Sequence, residues 1–261
     1  MNIVFLGAGN LATNLAHSLY DHDHAITQVF SRTMRSASEL AEKVKAQPID
    51  NVQSIDKKAD LYILALKDDV LKQIVADLPD SSGVFVHTAG SVNMEIFNER
   101  FENYGVFYPL QTFNKNRRLS FSEIPVFVEA NSEKTLNFLE NLAGQISSRV
   151  YPASSDDRLA IHVAAVFACN FTNFMFAGAD EILSKHNLPF QTLLPLINET
   201  IEKIEQNSPR SVQTGPAVRE DYQTIRTHHN LLSDSGLWQK LYRFVTDMMI
   251  EYYNSDDEKR Q

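Results

Sequence analysis

The sequence Gly7-Ala8-Gly9-Asn10-Leu11-Ala12 constrains the fold more than any other part of the chain. It has the pattern G-x-G-x-x-A and lies between an apolar, strand-like segment and a segment with helical spacing. In a strand–turn–helix unit, the first glycine permits a tight turn and the second lets a dinucleotide pyrophosphate approach the main chain, while a small third residue allows close helix–strand packing. We therefore predict that all six residues bind a cofactor. The alternative is a turn without a ligand.

Strand-like and helix-like segments alternate over the first 150 residues. The predicted strands are residues 2–7, 25–31, 60–66 and 83–90, followed by shorter runs at 104–110, 124–130 and 147–153, and the predicted helices are 12–22, 36–46 and 68–78. Such alternation indicates βαβ crossovers and a mostly parallel sheet. We predict an α/β domain with Rossmann-type topology over residues 1–152.

After Pro152 the pattern becomes helical, with predicted helices at 155–186, 190–206, 216–232 and 234–253, and we predict an all-α domain over 153–261. Residues 162–179 carry no charge and are nearly long enough to span a bilayer. Polar residues interrupt this run, and such a helix in a soluble chain is typical of a core or a subunit interface. We expect one of these two arrangements and no membrane contact.

The composition excludes several classes of protein. The formal net charge is −9, so we expect no nucleic-acid partner and no anionic-membrane partner, since both require a basic face. One cysteine rules out an internal disulfide framework and a Cys-rich zinc site. The clustered histidines lack a nearby third ligand, so we expect no metal. The opening residues lack a basic segment and a cleavage signature, and we expect a cytoplasmic protein.

The end of the second predicted strand distinguishes NADP from NAD. An NAD site places an acid there for the ribose hydroxyls, whereas an NADP site offers basic and hydroxyl groups to the 2′-phosphate. Here the strand ends in Ser31-Arg32-Thr33, with no acid. We predict NADP as the cofactor, with these three residues at the phosphate, since a guanidinium suits a phosphate dianion. The alternative is that Arg32 is a solvated loop residue.

These motifs resemble a known family. The glycine loop, Ser31-Arg32-Thr33 and residues 60–71 are similar to the N-terminal half of pyrroline-5-carboxylate reductase and of F420-dependent NADP reductases. Over nearly its whole length, the chain resembles NADP oxidoreductases in which a Rossmann-like domain precedes a C-terminal domain of unknown function. The shared segments are His87–Ser91, Pro109–Phe113, His162–Phe171 and Thr214–Arg219. The resemblance implies hydride transfer to or from a small oxo, imino or hydroxy acid, and a homodimer through the long helix at residues 158–186.

The resemblance also implies further site residues. It places Leu66, Lys67, His87, Thr88 and Ala89 at the cofactor, and Ser91, Gln111, Thr214 and Arg219 at the substrate, with Arg219 as a carboxylate anchor. The alternatives are a turn in which Ser91 caps a helix, and a solvated surface position for Arg219.

The long apolar helix carries the candidate acid–base group. Related β-hydroxyacid dehydrogenases use a lysine there, but this chain has no lysine between Arg158 and Lys185. At 100° per residue, His162 and Asn173 fall on one line with Asn170 beside it, and we predict these three residues to be catalytic. The alternative for His162 is a structural histidine.

The resemblance and the missing lysine lead to further predictions. Tyr108 stands where the resemblance leads us to expect His, so we predict no proton-transfer role at that position. The missing lysine leaves open a second class of function, a non-catalytic NADP(H)-binding sensor or scaffold. A methyl-transfer protein is less favoured, because the second strand lacks the expected acid.

Overall fold

The computed structural model describes residues 1–254, so the end of the predicted second domain, residues 255–261, lies outside the described part of the chain. The chain divides into two compact units, Met1–Ala168 and a second that begins at Cys169. The first unit thus extends beyond the predicted boundary at residue 152, because it includes the first turns of the long apolar helix.

An eight-stranded sheet forms the first unit. Its strands are β1 (Asn2–Leu6), β2 (Ala25–Phe30), β3 (Gln47–Ile49), β4 (Leu61–Leu64), β5 (Val84–His87), β6 (Tyr104–Pro109), β7 (Val126–Ala130) and β8 (Val150–Pro152). The spatial order is β3-β2-β1-β4-β5-β6-β7-β8, and all neighbours are parallel except β6 and β7. The first six strands follow the order 3-2-1-4-5-6 of doubly wound dinucleotide-binding sheets, which confirms the predicted fold class.

Five helices belong to this unit: α1 (Asn10–Asp21), α2 (Met34–Val44), α3 (Asp68–Asp77), α4 (Glu133–Ile146) and α5 (Ser155–Ala165). The central strand β1 is buried on both faces. Ile3 and Phe5 join one hydrophobic cluster, and Val4 and Leu6 join another. Successive side chains of a strand point to opposite faces, so a sheet covered on both sides requires this continuous apolar run.

Strand β3 and helix α4 of this unit have no counterpart in the sequence prediction. Strand β3 has three residues, one of them a proline, and Ile49 is its buried residue. Helix α4 starts at a regular cap, in which the Ser132 hydroxyl accepts a hydrogen bond from Thr135 N at 3.2 Å. It carries the buried residues that cover β7 and β8.

The described part of the second unit contains the helices α6 (Thr172–Lys185), α7 (Leu194–Gln206), α8 (Tyr222–Leu231) and α9 (Gly236–Asn254), with a short 3₁₀ turn at Phe190–Leu193. Residues 216–221 are not helical, so the predicted helix start at 216 is wrong. The helix begins at Tyr222 because Asp221 caps it, accepting a hydrogen bond from Thr224 N.

A π-helical segment, Val166–Phe171, joins α5 to α6. Its hydrogen bonds run from residue i to i+5 rather than i+4, so the 100° spacing used to align His162 with Asn173 does not hold across it. Segments of this kind are rare and occur frequently at functional sites.

The helical span Ser155–Lys185 is long and apolar enough to cross a membrane, with a mean hydropathy of 1.6. None of its most apolar window is buried within the described structure. A single such helix is weak evidence and does not indicate a membrane protein.

Candidate functional site

The glycine loop leaves β1 and enters α1 at the carboxyl edge of the sheet. Gly7 has φ +119°, and a Cβ there would lie 2.1 Å from the carbonyl oxygen of Ala65, so only glycine fits. A Cβ on Gly9 would meet nothing within 4 Å, which shows open space beside the main chain. Ala12 is 1% exposed and lets α1 pack closely against the sheet.

The first turn of α1 is arranged to receive an anion. Gly9 precedes the helix and has no side chain to cap it, and the first helical bond runs from Thr13 N to Gly9 O at 2.9 Å. The N–H groups of Asn10, Leu11 and Ala12 therefore have no acceptor within the helix. Together with the positive end of the helix dipole, they form an anion-binding site.

A groove of about 270 Å³ lies beside this loop. Seven of the predicted cofactor residues line it: Gly7, Ala8, Gly9, Ser31, Arg32, Leu66 and Lys67. The groove also contains residues that the sequence analysis missed: Phe30, Ser36, Ala65, Val70 and Ile74. Val70 and Ile74 are one helical turn apart on α3, a spacing that could have identified them as one face beside Leu66.

The hydroxyl of Thr33 caps α2 instead of lining the groove. It accepts a hydrogen bond from Ser36 N and donates one to Ser36 Oγ at 2.9 Å. This cap holds Ser36 beside Arg32. The Thr-x-x-Ser spacing in the sequence could have predicted it, because a threonine hydroxyl at the start of a helix accepts a hydrogen bond from the residue three positions later. Arg35 is directed elsewhere, since its Nε bonds Glu39 at 3.1 Å.

His87 and its neighbours are buried where β5 ends. The His87 side chain is fully buried, and its Nδ1 accepts a hydrogen bond from Ala89 N at 3.2 Å. Burial, reinforced by the positive charge of Arg158, lowers the pKa of His87 to about 3, so the ring is neutral at physiological pH. Thr88 and Ala89 are also buried. These side chains lie outside the groove that the glycine loop lines.

At the carboxyl ends of β5 and β6, three residues form what we call the edge cluster: Gly90, Tyr108 and His162. Tyr108 Oη lies 3.0 Å from His162 Nδ1, and the two rings meet edge to face. A Cβ on Gly90 would lie 2.6 Å from that same nitrogen, so the backbone after β5 touches the imidazole. His162 is half-buried and Tyr108 is 7% exposed. The sequence analysis identified His162 and missed its partner Tyr108.

A buried guanidinium fixes the start of α5 against the sheet. Arg158 is 1% exposed and forms an ion pair with Glu129 on β7. It also donates to the carbonyl oxygens of Ala89, at 3.2 Å, and Val92. Glu129 accepts a hydrogen bond from Ser155 N at 2.8 Å. These bonds hold the loop after β5 and the helix that carries His162 in one arrangement.

The two other predicted substrate residues of this unit are exposed. Ser91 donates a hydrogen bond to Asp68 at the start of α3 and does not cap a helix; Asn93 caps the following 3₁₀ turn. The side chain of Gln111 bonds the adjacent Thr112 N at 2.8 Å. Neither lines the groove.

The remaining predicted residues belong to the second unit. Asn170, in the π-helical segment, and Asn173, in α6, are exposed. Thr214 lines an apolar cavity of about 320 Å³ between α6 and α9, and Arg219 is exposed in the turn before α8. The catalytic and substrate roles of these four residues stay predictions.

The fold and the groove define the class of protein. A 3-2-1-4-5-6 sheet with a glycine loop, free helix amides and open space beside Gly9 fits the pyrophosphate of a dinucleotide. Residues 2–87 match the family described as NADP oxidoreductase, coenzyme F420-dependent, and residues 124–249 match a domain of unknown function, DUF2520. No curated protein matches the sequence.

A candidate NADP oxidoreductase from Bacteroides fragilis is 46% identical, with a TM-score of 0.89, over 96% of this chain and 98% of that one. The chain therefore belongs to the family of NADP oxidoreductases in which a dinucleotide-binding domain precedes a DUF2520 domain, which confirms the resemblance. The description of this family also confirms NADP as the cofactor.

More distant structures share the fold alone. The pyrroline-5-carboxylate reductase of Streptococcus pyogenes is 15% identical, with a TM-score of 0.64, over 98% of each chain. A reductive aminase from Aspergillus terreus, in complex with NADPH and ethyl-5-oxohexanoate, is 13% identical, with a TM-score of 0.72, over 97% of this chain and 99% of that one.

Proposed function

We propose that this protein is an NADP(H)-dependent oxidoreductase that transfers hydride to or from the carbon of a small oxo, imino or hydroxy acid. The observation that carries the proposal is the position of His162. It contacts Tyr108 near the carboxyl end of β6, on the same edge of the sheet where β1, β2 and β4 end at the groove beside the glycine loop. Open α/β sheets bind their ligands at this edge.

The residues of the groove have separate tasks in this proposal. The backbone of Gly7 to Ala12 holds the pyrophosphate, and Ser31, Arg32 and Ser36 hold the 2′-phosphate through one cation and two hydroxyls. NADPH supplies the hydride when it is bound. Lys67 lies at the rim, where β4 ends.

Reduction of an oxo or imino group also requires one proton at its oxygen or nitrogen. We assign to His162 a ring N–H group that hydrogen-bonds this oxygen or nitrogen, and the proton that the product takes up comes from solvent. His87 is unsuitable, since its ring is fully buried and lies outside the groove. The imino-acid substrates are supported by the shared fold of reductases that act on related groups.

A homodimer through residues 158–186 is part of the proposal. In the described part of the second unit, three hydrophobic residues are buried, Ala217, Leu232 and Trp238, whereas many large apolar side chains are more than 40% exposed. A second copy of the chain would cover such a surface, as in obligate dimers. We also place the enzyme in the cytoplasm, which the one free cysteine, Cys169, fits.

The test measures NADPH binding by calorimetry and NADPH oxidation with a panel of oxo and imino acids. We expect His162→Gln to lower turnover about 100-fold or more while leaving the NADPH dissociation constant unchanged. His24→Gln is the matched control, since it removes a histidine bonded to Gln145 at the opposite edge of the sheet.

Two results would contradict the proposal. Failure to bind NADPH would remove the groove assignment. Tight NADPH binding with no oxidation across the panel would favour the non-catalytic sensor or scaffold.

A further inference from the structure

We infer that Tyr108 holds the neutral imidazole of His162 in its Nε2–H tautomer, so that the ring presents a hydrogen-bond donor to an oxo or imino group. Tyr108 is therefore a positioning residue that acts through His162. The catalytic consequence rests on the proposed function, but the tautomer itself does not.

The geometry restrains the imidazole from two sides. Tyr108 Oη contacts Nδ1 at 3.0 Å, and the Gly90 backbone lies so close that even a methyl group there would be 2.6 Å from Nδ1 and 2.7 Å from Cγ. The backbone at Gly90 therefore blocks rotation of the ring toward it. In the described structure, the Tyr108 bond is the hydrogen bond of the ring, which leaves Nε2 available to a ligand.

The direction of the bond follows from the burial of Tyr108. Burial raises the pKa of this phenol, the negative charge of Asp68 adds to the effect, and Arg158 opposes it, so the hydroxyl keeps its proton at physiological pH. If His162 carried its proton on Nδ1, the phenolic proton would be buried without an acceptor among the described residues. An unpaired buried donor is costly. The hydroxyl therefore donates to Nδ1, and Nε2 carries the ring proton.

The charged side chains around Tyr108 and His162 are bonded to other partners. Arg158, on the same helix, is paired with Glu129 from β7. Asp68, from α3, accepts from Ser91, and the neutral His87 ends β5. The group bonded to His162 is thus a neutral phenol, which orients the ring without adding a charge. A ring with a proton on Nε2 can donate a hydrogen bond to a carbonyl oxygen or an imine nitrogen.

The test reads the tautomer directly by long-range ¹H–¹⁵N NMR of the histidine rings in the full chain. The signal of His162 is assigned by its loss in His162→Gln. We expect an unprotonated Nδ1 and a protonated Nε2 in the wild type, and a mixture of both tautomers in Tyr108→Phe. Tyr104→Phe is the matched control. It lies on the same strand, is equally buried, and loses a comparable hydroxyl bond, to Glu95.

Gly90→Ala provides a second variant in case Tyr108→Phe fails to fold. Its methyl group enters the space of the ring, so we expect the same mixture of tautomers. A protonated Nδ1 in the wild type would overturn the inference, and so would an unchanged single tautomer in both variants. The NMR measurement needs no substrate, so it tests the tautomer even if the proposed function fails.

A kinetic measurement adds the catalytic consequence. With a substrate from the panel, we expect Tyr108→Phe to lower kcat about 10-fold with NADPH affinity unchanged, and Tyr104→Phe to leave kcat unchanged. Mixed tautomers with an unchanged kcat would restrict Tyr108 to a structural role.

Discussion

At the residue scale, Arg32 is the side chain on which we expect the choice between NADPH and NADH to depend. It is exposed at the end of β2 and lines the groove with Ser31 and Ser36. Its guanidinium can form charge-assisted hydrogen bonds with a 2′-phosphate, and NADH lacks that phosphate.

We expect Arg32→Ala to weaken NADPH binding about 10- to 100-fold and to change NADH binding little. Calorimetric titration with each cofactor measures the difference. Arg35→Ala serves as the control, because Arg35 bonds Glu39 and does not line the groove. Equal weakening of both cofactors by Arg32→Ala would show that Arg32 does not contact the phosphate.

His87 makes the stability of the fold sensitive to acid. Its folded pKa of about 3 lies below the ordinary value of 6.5. Below pH 6.5 the unfolded chain binds a proton that the folded chain does not, so stability falls as the pH falls from about 6.5 toward 3.

We expect the wild type to lose about 2 kcal/mol of unfolding free energy from this group between pH 7 and pH 5. His87→Asn keeps an acceptor for Ala89 N and removes the titration. Urea unfolding of both proteins at the two pH values measures the effect. Equal losses in the two proteins would mean that His87 is not responsible.

At the scale of elements, Arg158 joins α5 to β7 and to the loop after β5. Arg158→Met would leave Glu129, whose side chain is 14% exposed, without its partner. We expect a loss of about 3–5 kcal/mol in the free energy of unfolding, measured by urea titration. Arg149→Met is the control, since its pair with Glu123 is largely exposed and contributes less than about 1 kcal/mol. Equal losses would contradict a buried role for Arg158.

The elements that the sequence predicts are those whose signals are local. Strand β1 and the loop at Gly7 follow from an apolar run and from backbone geometry within a few residues. Strand β3 is too short to carry a pattern. The π-helical segment lies in a run that is apolar on all sides, so no periodicity marks the change of register.

Only part of the edge cluster could be predicted from the sequence. Tyr108 and His162 are 54 residues apart, and only the pairing of β6 beside β5 and the docking of α5 bring them together. The imidazole could be identified by its chemistry on an apolar helix. Its partner could not, because a tyrosine in a buried strand has the same local pattern as a core residue.

At the scale of the whole molecule, exposed apolar surface is unevenly distributed along the chain. All but two of the exposed large hydrophobic side chains among the described residues come after residue 150. The buried hydrophobic clusters, by contrast, lie within the sheet and the helices that cover it.

We expect sedimentation at micromolar concentration to give twice the 29.6 kDa mass of one chain. Val163→Glu, at a side chain 48% exposed on α5, should shift the mass toward a single chain by placing a charge in the proposed interface. Met34→Glu is the control, with 43% exposure on α2. A wild type that sediments as one chain would remove the dimer from the proposal.

The uneven distribution of the core also has a consequence for biosynthesis. Every strand of the sheet lies within residues 1–152, so the ribosome has synthesised all of the β-structure before it begins the apolar helices. At about 5–20 residues per second, synthesis of the remainder takes about 5 to 20 s. The exposed apolar side chains of these helices are therefore made after the residues of the sheet, and until the proposed dimer forms they are open to chaperones and to misassociation.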